Sequence, residues 1–211
     1  MAKGASISGF PEWLPSERVV EQRVIDTLRR VFELNGFIGI ETRAVEQGSS
    51  LLKKGETSKE IYLLSRLQEV GHESDTPVND RLGLHFDLTV PLSRYVVEHS
   101  GDLAFPFKRW QIQKVWRGER PQEGRFREFV QADIDVIDNG DLPDHYEVEL
   151  PLVMVSALEE LRAFGLPKAT VHANNRKLSE GFYRGLGLTD IEGVLRELSL
   201  IHISEPTRHA Q

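Results

Sequence analysis

Two long segments of alternating apolar and polar residues place the tightest constraint on how this chain folds. They are Phe107–Arg117 and Phe126–Ile137, joined by the charged and turn-forming residues Gly118–Arg125. Alternation with a period of two is typical of strands that bury only one face. Two such strands joined by a polar loop predict an antiparallel hairpin.

The two faces of the predicted hairpin differ in chemistry. One face is mainly apolar, with Trp110, Ile112 and Trp116 on the first strand and Phe126, Val130, Ala132, Ile134 and Val136 on the second. The other face carries Gln111, Gln113 and Arg117, and then Arg127, Phe129, Gln131, Asp133 and Asp135. We expect the apolar face to pack on the core.

The polar face has two interpretations. It is either a solvated outer face or the floor of a site for a small zwitterionic ligand, with carboxylates for an ammonium group and arginine for an anion. For a single strand the solvated face is the more common explanation. Phe129 and Gln131 among the charges, beside an arginine-rich loop, favour the ligand site.

The loop has its own arginine pattern. Four arginines lie within eleven residues around two glycines, namely Arg117, Arg120, Arg125 and Arg127. Guanidinium groups bind phosphate in a bidentate manner, and glycine lets the backbone approach closely. A charged, solvated hairpin tip explains the local spacing equally well. The chain has neither a Walker loop nor a dinucleotide-binding fingerprint.

The remaining periodic segments predict helices on either side of the sheet. Helical spacing of apolar residues predicts helices at Ser16–Leu34, Tyr146–Phe164 and Arg176–Gly185, and shorter apolar runs predict strands at Phe37–Thr42 and Lys168–Ala173. The predicted fold class is therefore α+β, an antiparallel sheet flanked by helices.

Composition excludes several classes of function. With 211 residues and 39% apolar content the chain can bury a core as about one domain, and 26 basic against 33 acidic residues give a net charge of −7. There are no cysteines, which excludes disulfides, thiol nucleophiles and Cys-bound zinc. The lack of a long apolar run and of an apolar leader predicts a cytoplasmic protein without a membrane span.

Asp87 and the histidines give weaker signals. Asp87 stands in HFDLTVP, where a strand is expected to meet a helix, and an aspartate there is more often a cap or turn residue than a ligand-binding one. The seven histidines form no HExxH motif and no pair at metal-ligand spacing, so we predict no metal site built from them.

Several segments resemble one family of enzymes. VWRGERPQEGRFREFVQADIDVI resembles the second signature motif of class II aminoacyl-tRNA synthetases in its histidyl-tRNA synthetase form. GLHFDLTVPLSRYV, the N-terminal segment from Gly9 to Glu46 and the later VHANNRKLSEGFYRGLG are also similar to that family. The resemblance runs from about Gly9 to Arg196 and implies a class II catalytic domain.

The resemblance also implies roles for individual residues. Arg117 would be the catalytic residue, holding the α-phosphate of ATP and the carboxylate of histidine. ATP would further contact Glu119, Arg125 and Phe129, the last stacking on adenine. The amino-acid pocket would consist of Asp87, Leu88, Thr89, Gln131 and Asp135 together with Arg117.

By the same resemblance, the expected activity is ATP-dependent activation of histidine and its transfer to tRNA(His). Mg²⁺ should accompany ATP. The full-length protein is expected to be a homodimer. This chain has Thr42–Arg43–Ala44 where the family commonly has a proline near the end of the first motif, which weakens the inference of the usual dimer contact.

Parts of the family's sequence have no counterpart here. Residues 1–197 resemble a partial catalytic domain with the first and second motifs, whereas the third motif and the anticodon-binding domain are absent. Leu198–Arg208 (LSLIHISEPTR) resembles the translation of a sequencing-library adapter, so we expect residues 198–211 to be a non-native tail on a truncated, inactive fragment.

Two other functions remain as alternatives. One is the regulatory subunit of ATP phosphoribosyltransferase, a non-catalytic paralogue with the same fold, and the other is a stand-alone histidine- or ATP-binding module. The loop GERPQEGR and the set Asp87, Gln131 and Asp135 favour the enzyme, because a regulator does not need ATP-binding arginines.

Overall fold

The computed structural model describes residues 6–52, 60–69, 76–122, 124–173, 175–195 and 197. The chain divides into two compact units, Met1–Ala169 and Thr170–Gln211. The proposed tail, residues 198–211, lies outside the described residues.

The first unit alternates helices and strands. In chain order its elements are α1 (Pro15–Leu34), β1 (Ile38–Gly39), β2 (Val45–Gln47), α2 (Gly48–Leu51), β3 (Leu82–Leu84), α3 (Thr89–Glu98), β4 (Phe107–Trp116), β5 (Glu128–Ile137) and α4 (His145–Leu161). Single 3₁₀ turns lie at Leu67–Glu69, Val78–Asp80 and Arg162–Phe164. This mixture confirms the predicted α+β class.

The hairpin of β4 and β5 makes up most of the main sheet. The two strands are antiparallel and pair without interruption from Phe107 opposite Ile137 to Trp116 opposite Glu128. β1 adds to the other side of β4 in parallel, so among the described residues β4 is the central strand and β1 and β5 are the edges of a three-stranded sheet. The predicted hairpin and its alternating faces are confirmed.

Helix α1 begins and ends with recognisable signals. Pro15 occupies its first turn, where its fixed φ suits the helix, and Glu17 Oε2 accepts a hydrogen bond from Leu14 N at 2.9 Å. After the helix, Gly36 has a φ of +79°, a left-handed conformation that glycine adopts without strain. The chain then turns directly into Phe37 and β1.

The core lies between the apolar face of the hairpin and helices α1 and α4. Its buried members are Val31, Phe32, Phe37, Val153 and Ala157, and partly buried residues packed against them include Trp110, Ile112, Ile134 and Val136. One hairpin face is therefore covered by helices. The polar face is left to form a site.

A second, smaller sheet positions the segment that contains Asp87. β2 pairs with β3 in an antiparallel manner, and α3 begins shortly after β3. The fully buried Glu46 on β2 forms an ion pair with Arg94 on α3, with 2.8 Å between Oε1 and Nη2. This ion pair links α3 to the smaller sheet.

Some short elements differ from the sequence-based predictions. The strand predicted at Phe37–Thr42 is limited to the two residues of β1. The strand predicted at Lys168–Ala173 is wrong, because these residues, all of them described, have no strand pairing. The strand pair β2–β3 and the single turn of α2 were not predicted, since three or four residues are too short to show a period.

The second unit contains the predicted helix α5 (Arg176–Gly185). Asn175 caps this helix, because its Oδ1 accepts a hydrogen bond from Lys177 N at 2.9 Å. Within the described ranges of the whole chain, none of the helices combines the length and apolar character that a membrane crossing requires.

The end of α1 offers a test of the core. Phe32 is 0% exposed, whereas Leu34 in the same turn is 72% exposed. We predict that Phe32→Ala lowers the free energy of unfolding by about 3–5 kcal/mol through lost burial and a cavity. Leu34→Ala, the matched control, should change it by less than about 0.5 kcal/mol. Urea denaturation of both variants measures these changes, and equal losses of unfolding free energy in the two variants would contradict this packing.

Candidate active site

The polar face of the hairpin brings together side chains from distant parts of the chain. The register places Arg109 opposite Asp135 and Gln113 opposite Gln131. Directly opposed side chains in an antiparallel pair have Cβ atoms about 4.5–5.5 Å apart. Gln131 and Asp135 therefore share one face, as predicted from their spacing, and Arg109 lies on that face too.

Arg117 follows β4 and is fixed by three contacts. Its Nε donates to the carbonyl oxygen of Phe86 at 3.0 Å, and its Nη2 donates to Gln131 Oε1 at 3.2 Å. The guanidinium carbon lies 5.0 Å from the ring centroid of Phe129. These contacts orient the cation, and they join the segment before α3 to the hairpin.

His85 attaches the segment before α3 to β4. The imidazole is fully buried, and its Nε2 donates to the carbonyl oxygen of Lys114 at 2.7 Å. The carbonyl oxygen of His85 accepts from Trp116 N at 3.1 Å. His85 therefore has a structural role. It places Asp87 beside the end of β4.

Asp87, Leu88 and Thr89 occupy different environments at the start of α3. Asp87 is buried, and its Oδ1 accepts a hydrogen bond from Val90 N at 3.1 Å, which is the kind of bond expected of a turn or cap residue. Leu88 is completely buried, while Thr89 is exposed. Of the three, Leu88 has no surface for contact with a ligand.

The loop between the strands is held by charge pairs and backbone contacts. Arg125 Nε forms an ion pair with Glu119 Oε2, although the Arg125 side chain remains 56% exposed. The carbonyl oxygen of Glu119 accepts from Arg127 Nε at 3.0 Å. Gly118 N donates to the carbonyl oxygen of Glu60 at 2.7 Å. The loop thus folds back onto the hairpin and leaves Arg125 accessible.

Gly118 and Glu60 lie close enough to restrict substitution. A Cβ at position 118 would lie 3.2 Å from the Glu60 carbonyl oxygen, which is a tight contact. Burial raises the pKa of the Glu60 carboxyl, and the nearby charge of Glu119 raises it further, against the opposing effect of Arg117 and Arg125. Glu60 is a part of this site that the sequence did not indicate.

Arg109 is the charged centre beneath the polar face. Its side chain is 0% exposed, and its Nη2 lies 2.5 Å from Asp135 Oδ2 and 4.0 Å from Asp133 Oδ2. Sequence reasoning did not single out Arg109. Its odd-numbered position on β4, opposite Asp135, was the available signal.

The environment shifts the pKa of both partners. Burial raises the pKa of the Asp135 carboxyl; the charge of Arg109 lowers it, and that of Asp133 raises it. Burial lowers the pKa of the Arg109 guanidinium, opposed by the charges of Asp135, Asp133 and Asp87. Asp87 is therefore close enough to act on Arg109 electrostatically.

Gln131 links the two arginines of the site. Its Oε1 accepts from Arg117, and its Nε2 donates to Asp133 Oδ1 and Oδ2 at 3.1 and 2.9 Å. Asp133 in turn lies near Arg109. A continuous polar chain therefore runs along this face from Arg117 to Asp135.

A cavity of about 750 Å³ lies on the other side of the hairpin. Its lining includes Trp13, Glu21, Lys114, Trp116, Phe126 and Glu128, and it also includes Phe129, which was predicted to contact ATP. Glu128 accepts from Trp116 Nε1 at 2.7 Å and pairs with Lys114 at 2.6 Å. Most of the residues predicted to bind ligands line the opposite face, so cavity size alone does not locate the site.

No metal centre is apparent in the described part of the chain. Among those residues, no three His, Asp or Glu side chains come together in a way that could hold a metal ion.

Comparison with known proteins identifies relatives of this chain. It is 94% identical over 198 residues to a protein named histidine–tRNA ligase from Bifidobacterium longum subsp. infantis, covering 94% of this chain and 42% of that protein. No family model matches. The crystal structure of histidyl-tRNA synthetase from Nostoc sp. PCC 7120 shares 37% identity with a TM-score of 0.70, covering 89% of this chain and 41% of that one. The chain belongs to the histidyl-tRNA synthetase family.

The family assignment confirms the resemblance and the class II synthetase-like fold expected from the sequence. A structure titled ATP phosphoribosyltransferase regulatory subunit/histidyl-tRNA synthetase, from Bacillus halodurans, is also similar, at 23% identity and a TM-score of 0.57 over 74% of this chain and 37% of that one. That likeness supports the fold alone. The chain spans about 42% of the length of the curated relative described above.

The partly buried carboxyl of Asp135 predicts a pH dependence. Because its pKa in the folded state is raised, the protonated form favours folding. This contribution of Asp135 to the free energy of unfolding is fully present below the ordinary aspartate pKa, and it is lost as the pH rises through the raised pKa of the folded state. We predict that the free energy of unfolding of wild type minus that of Asp135→Asn falls over this window. Denaturation at a series of pH values measures it, and a difference that grows with pH would contradict the prediction.

Proposed function

We propose that the polar face of the hairpin binds histidine and ATP and activates histidine as its adenylate, in the full-length protein of which this chain is a part. The observation that carries this proposal is the fixed guanidinium of Arg117. It joins the Phe86 carbonyl oxygen, next to Asp87, to Gln131 on the face that carries Asp135, and the loop with Glu119 and Arg125 follows it in the chain. A cation at this boundary suits a reaction between a carboxylate and a phosphate.

The proposed reaction uses Arg117 to neutralise both reactants. A carboxylate oxygen of histidine attacks the α-phosphorus of ATP in line, a P–O bond forms, and pyrophosphate leaves with the electrons of the broken P–O bond. Mg²⁺ enters with ATP as part of the substrate. The protein contributes positioning and charge stabilisation rather than a covalent step. In a second step, a ribose hydroxyl of tRNA(His) attacks the carbonyl carbon, and AMP leaves.

The nucleotide is proposed to bind along the loop side of Arg117. Glu119 and Arg125 would contact ATP, and Phe129 would stack on adenine. Since the Arg117 guanidinium already lies over the Phe129 ring, adenine would use the opposite ring face. The exposure of Arg125 supports a contact with a phosphate that approaches from solvent.

The amino acid is proposed to bind on the other side of Arg117. Asp87 and Asp135 would receive the ammonium group and the imidazole, with Thr89 and Gln131 as further polar contacts. Leu88, being completely buried, would shape this pocket only by supporting its neighbours. The polar chain from Arg117 to Asp135 supports one continuous binding surface.

The proposal also covers the oligomeric state, the tRNA partner and the domain limits. We propose a cytoplasmic homodimer that acts on tRNA(His), and the exposed apolar residues Trp13, Leu14, Val19 and Val20 around the start of α1 support such an interface. We also propose that residues 1–197 are a partial catalytic domain, that residues 198–211 are not native, and that this chain alone is inactive. Its coverage of about 42% of the relative supports the last point.

Substitution of Arg117 tests the proposed reaction. In the full-length protein, Arg117→Ala should lower histidine-dependent ATP–pyrophosphate exchange by roughly 100- to 1000-fold, as expected for loss of a group that stabilises developing charge. The matched control is Arg162→Ala, whose exposed guanidinium contacts only Glu159 among the contacts seen in the described residues. Near-normal exchange by the Arg117 variant would overturn the assignment.

Calorimetry with this chain distinguishes the enzyme from the alternatives. The proposal expects binding of both histidine and ATP to the hairpin site, each weakened by Arg117→Ala and unaffected by Arg162→Ala. Binding of histidine by the full-length protein without any pyrophosphate exchange would instead favour a regulatory subunit or a binding module.

A further inference from the structure

A completely buried arginine beneath the proposed histidine pocket has no evident role in the fold. Arg109 is 0% exposed, and none of its three side-chain nitrogens makes a hydrogen bond to any described residue, although Nη2 forms an ion pair with Asp135. Burying a guanidinium is costly, and apolar residues of similar volume often serve as well or better for stability. A purely structural arginine would be expected to have its donors satisfied.

The partners of Arg109 point toward the pocket instead. Its closest contact is Asp135, at 2.5 Å between Nη2 and Oδ2, and Asp133 follows at 4.0 Å. The charge of Asp87, at the start of α3, also acts on it. Two strands and the segment before α3 therefore converge on one guanidinium.

We propose that Arg109 is a positioning residue that keeps the Asp135 carboxylate ionised and oriented for the cationic groups of histidine. The inference rests on the proposed function, because it assigns Asp135 to the amino-acid pocket. Arg109 itself is buried beneath the carboxylates and acts through them. It therefore differs from Arg117, which is proposed to touch both substrates.

The charge balance of the cluster supports this role. One guanidinium faces three carboxylates, so the cluster formed by Arg109, Asp87, Asp133 and Asp135 carries a net charge of −2 when all four groups are ionised. That surplus suits a ligand with an ammonium group and a basic ring. Arg109 is the cation that offsets the repulsion between Asp133 and Asp135, and its removal would leave that repulsion uncompensated.

The effect of Arg109 on Asp135 can be stated as a direction. Burial and the charge of Asp133 raise the pKa of Asp135, and the charge of Arg109 holds it down. Removing that charge should raise the pKa of Asp135 further, so a larger fraction would be neutral at a given pH. A neutral carboxyl group no longer provides the negative charge that attracts an ammonium group.

Three variants of this chain test the proposal. Arg109→Met removes the charge and keeps an unbranched side chain, while Arg109→Lys keeps the charge. Lys108→Met is the matched control. Lys108 precedes Arg109 on β4 and is partly buried, but its side chain pairs with Glu149 of α4 at 2.5 Å, on the helix-covered side of the sheet. The carboxyl ¹³C resonance of Asp135 and calorimetric histidine binding are measured for each as a function of pH.

The expected results separate positioning from a structural role. Arg109→Met should raise the titration midpoint of Asp135 and weaken histidine binding at neutral pH by about tenfold or more, with partial recovery as the pH rises. Arg109→Lys should restore most of both properties. Lys108→Met should lower stability but leave the titration and the affinity within about twofold of wild type.

Two outcomes would overturn the proposal. One is an unchanged Asp135 titration in Arg109→Met, and the other is a loss of affinity of the same size in Lys108→Met. If Arg109→Met does not fold, Arg109→Lys decides. The proposal predicts that the lysine variant keeps most of the Asp135 titration and of the histidine affinity, and loss of both in a folded lysine variant would contradict it. If wild type binds no histidine, the proposed function fails, whereas the Asp135 titration still tests the link between Arg109 and Asp135.

Discussion

The pairing of β4 with β5 is the constraint on which the rest of this structure depends. Its register separates an apolar face, covered by α1 and α4, from a polar face that carries Arg109, Gln131 and Asp135. A shift by one residue would exchange the two faces and bury the charges against the helices. The core and the candidate site are therefore specified by the same set of strand contacts.

The site itself depends on contacts that bring other segments to the hairpin. His85 and the Phe86 carbonyl oxygen join the start of α3 to the end of β4, and Arg117 closes that junction by its bond to Gln131. The result is a connected row of charged groups with one amide, Gln131, rather than isolated ionic groups. Such a surface can neutralise a carboxylate and a phosphate at one end and an ammonium group at the other.

The sequence predicted the long elements and the facing of the hairpin, because periods of two and of 3.6 are visible over ten or more residues. It did not reveal β2 and β3, whose three residues each are selected by long-range pairing. Nor did it indicate Arg109. In a strand of alternating apolar and polar residues, the sequence does not distinguish one buried arginine from the other charged residues of the polar face. Arg117 and Asp135 were found through a family motif, while their mutual link through Gln131 required the fold.

The central claim is that histidine binds on the polar face of the hairpin. Backbone and side-chain NMR shifts of this chain, recorded while free histidine is added, test it most directly. The account predicts saturable changes at Asp87, Gln131 and Asp135 and little change at Lys114 and Glu128 on the opposite face. Saturable changes confined to Trp13, Lys114 and Glu128, which line the 750 Å³ cavity, with none at Asp87, Gln131 or Asp135, would contradict it.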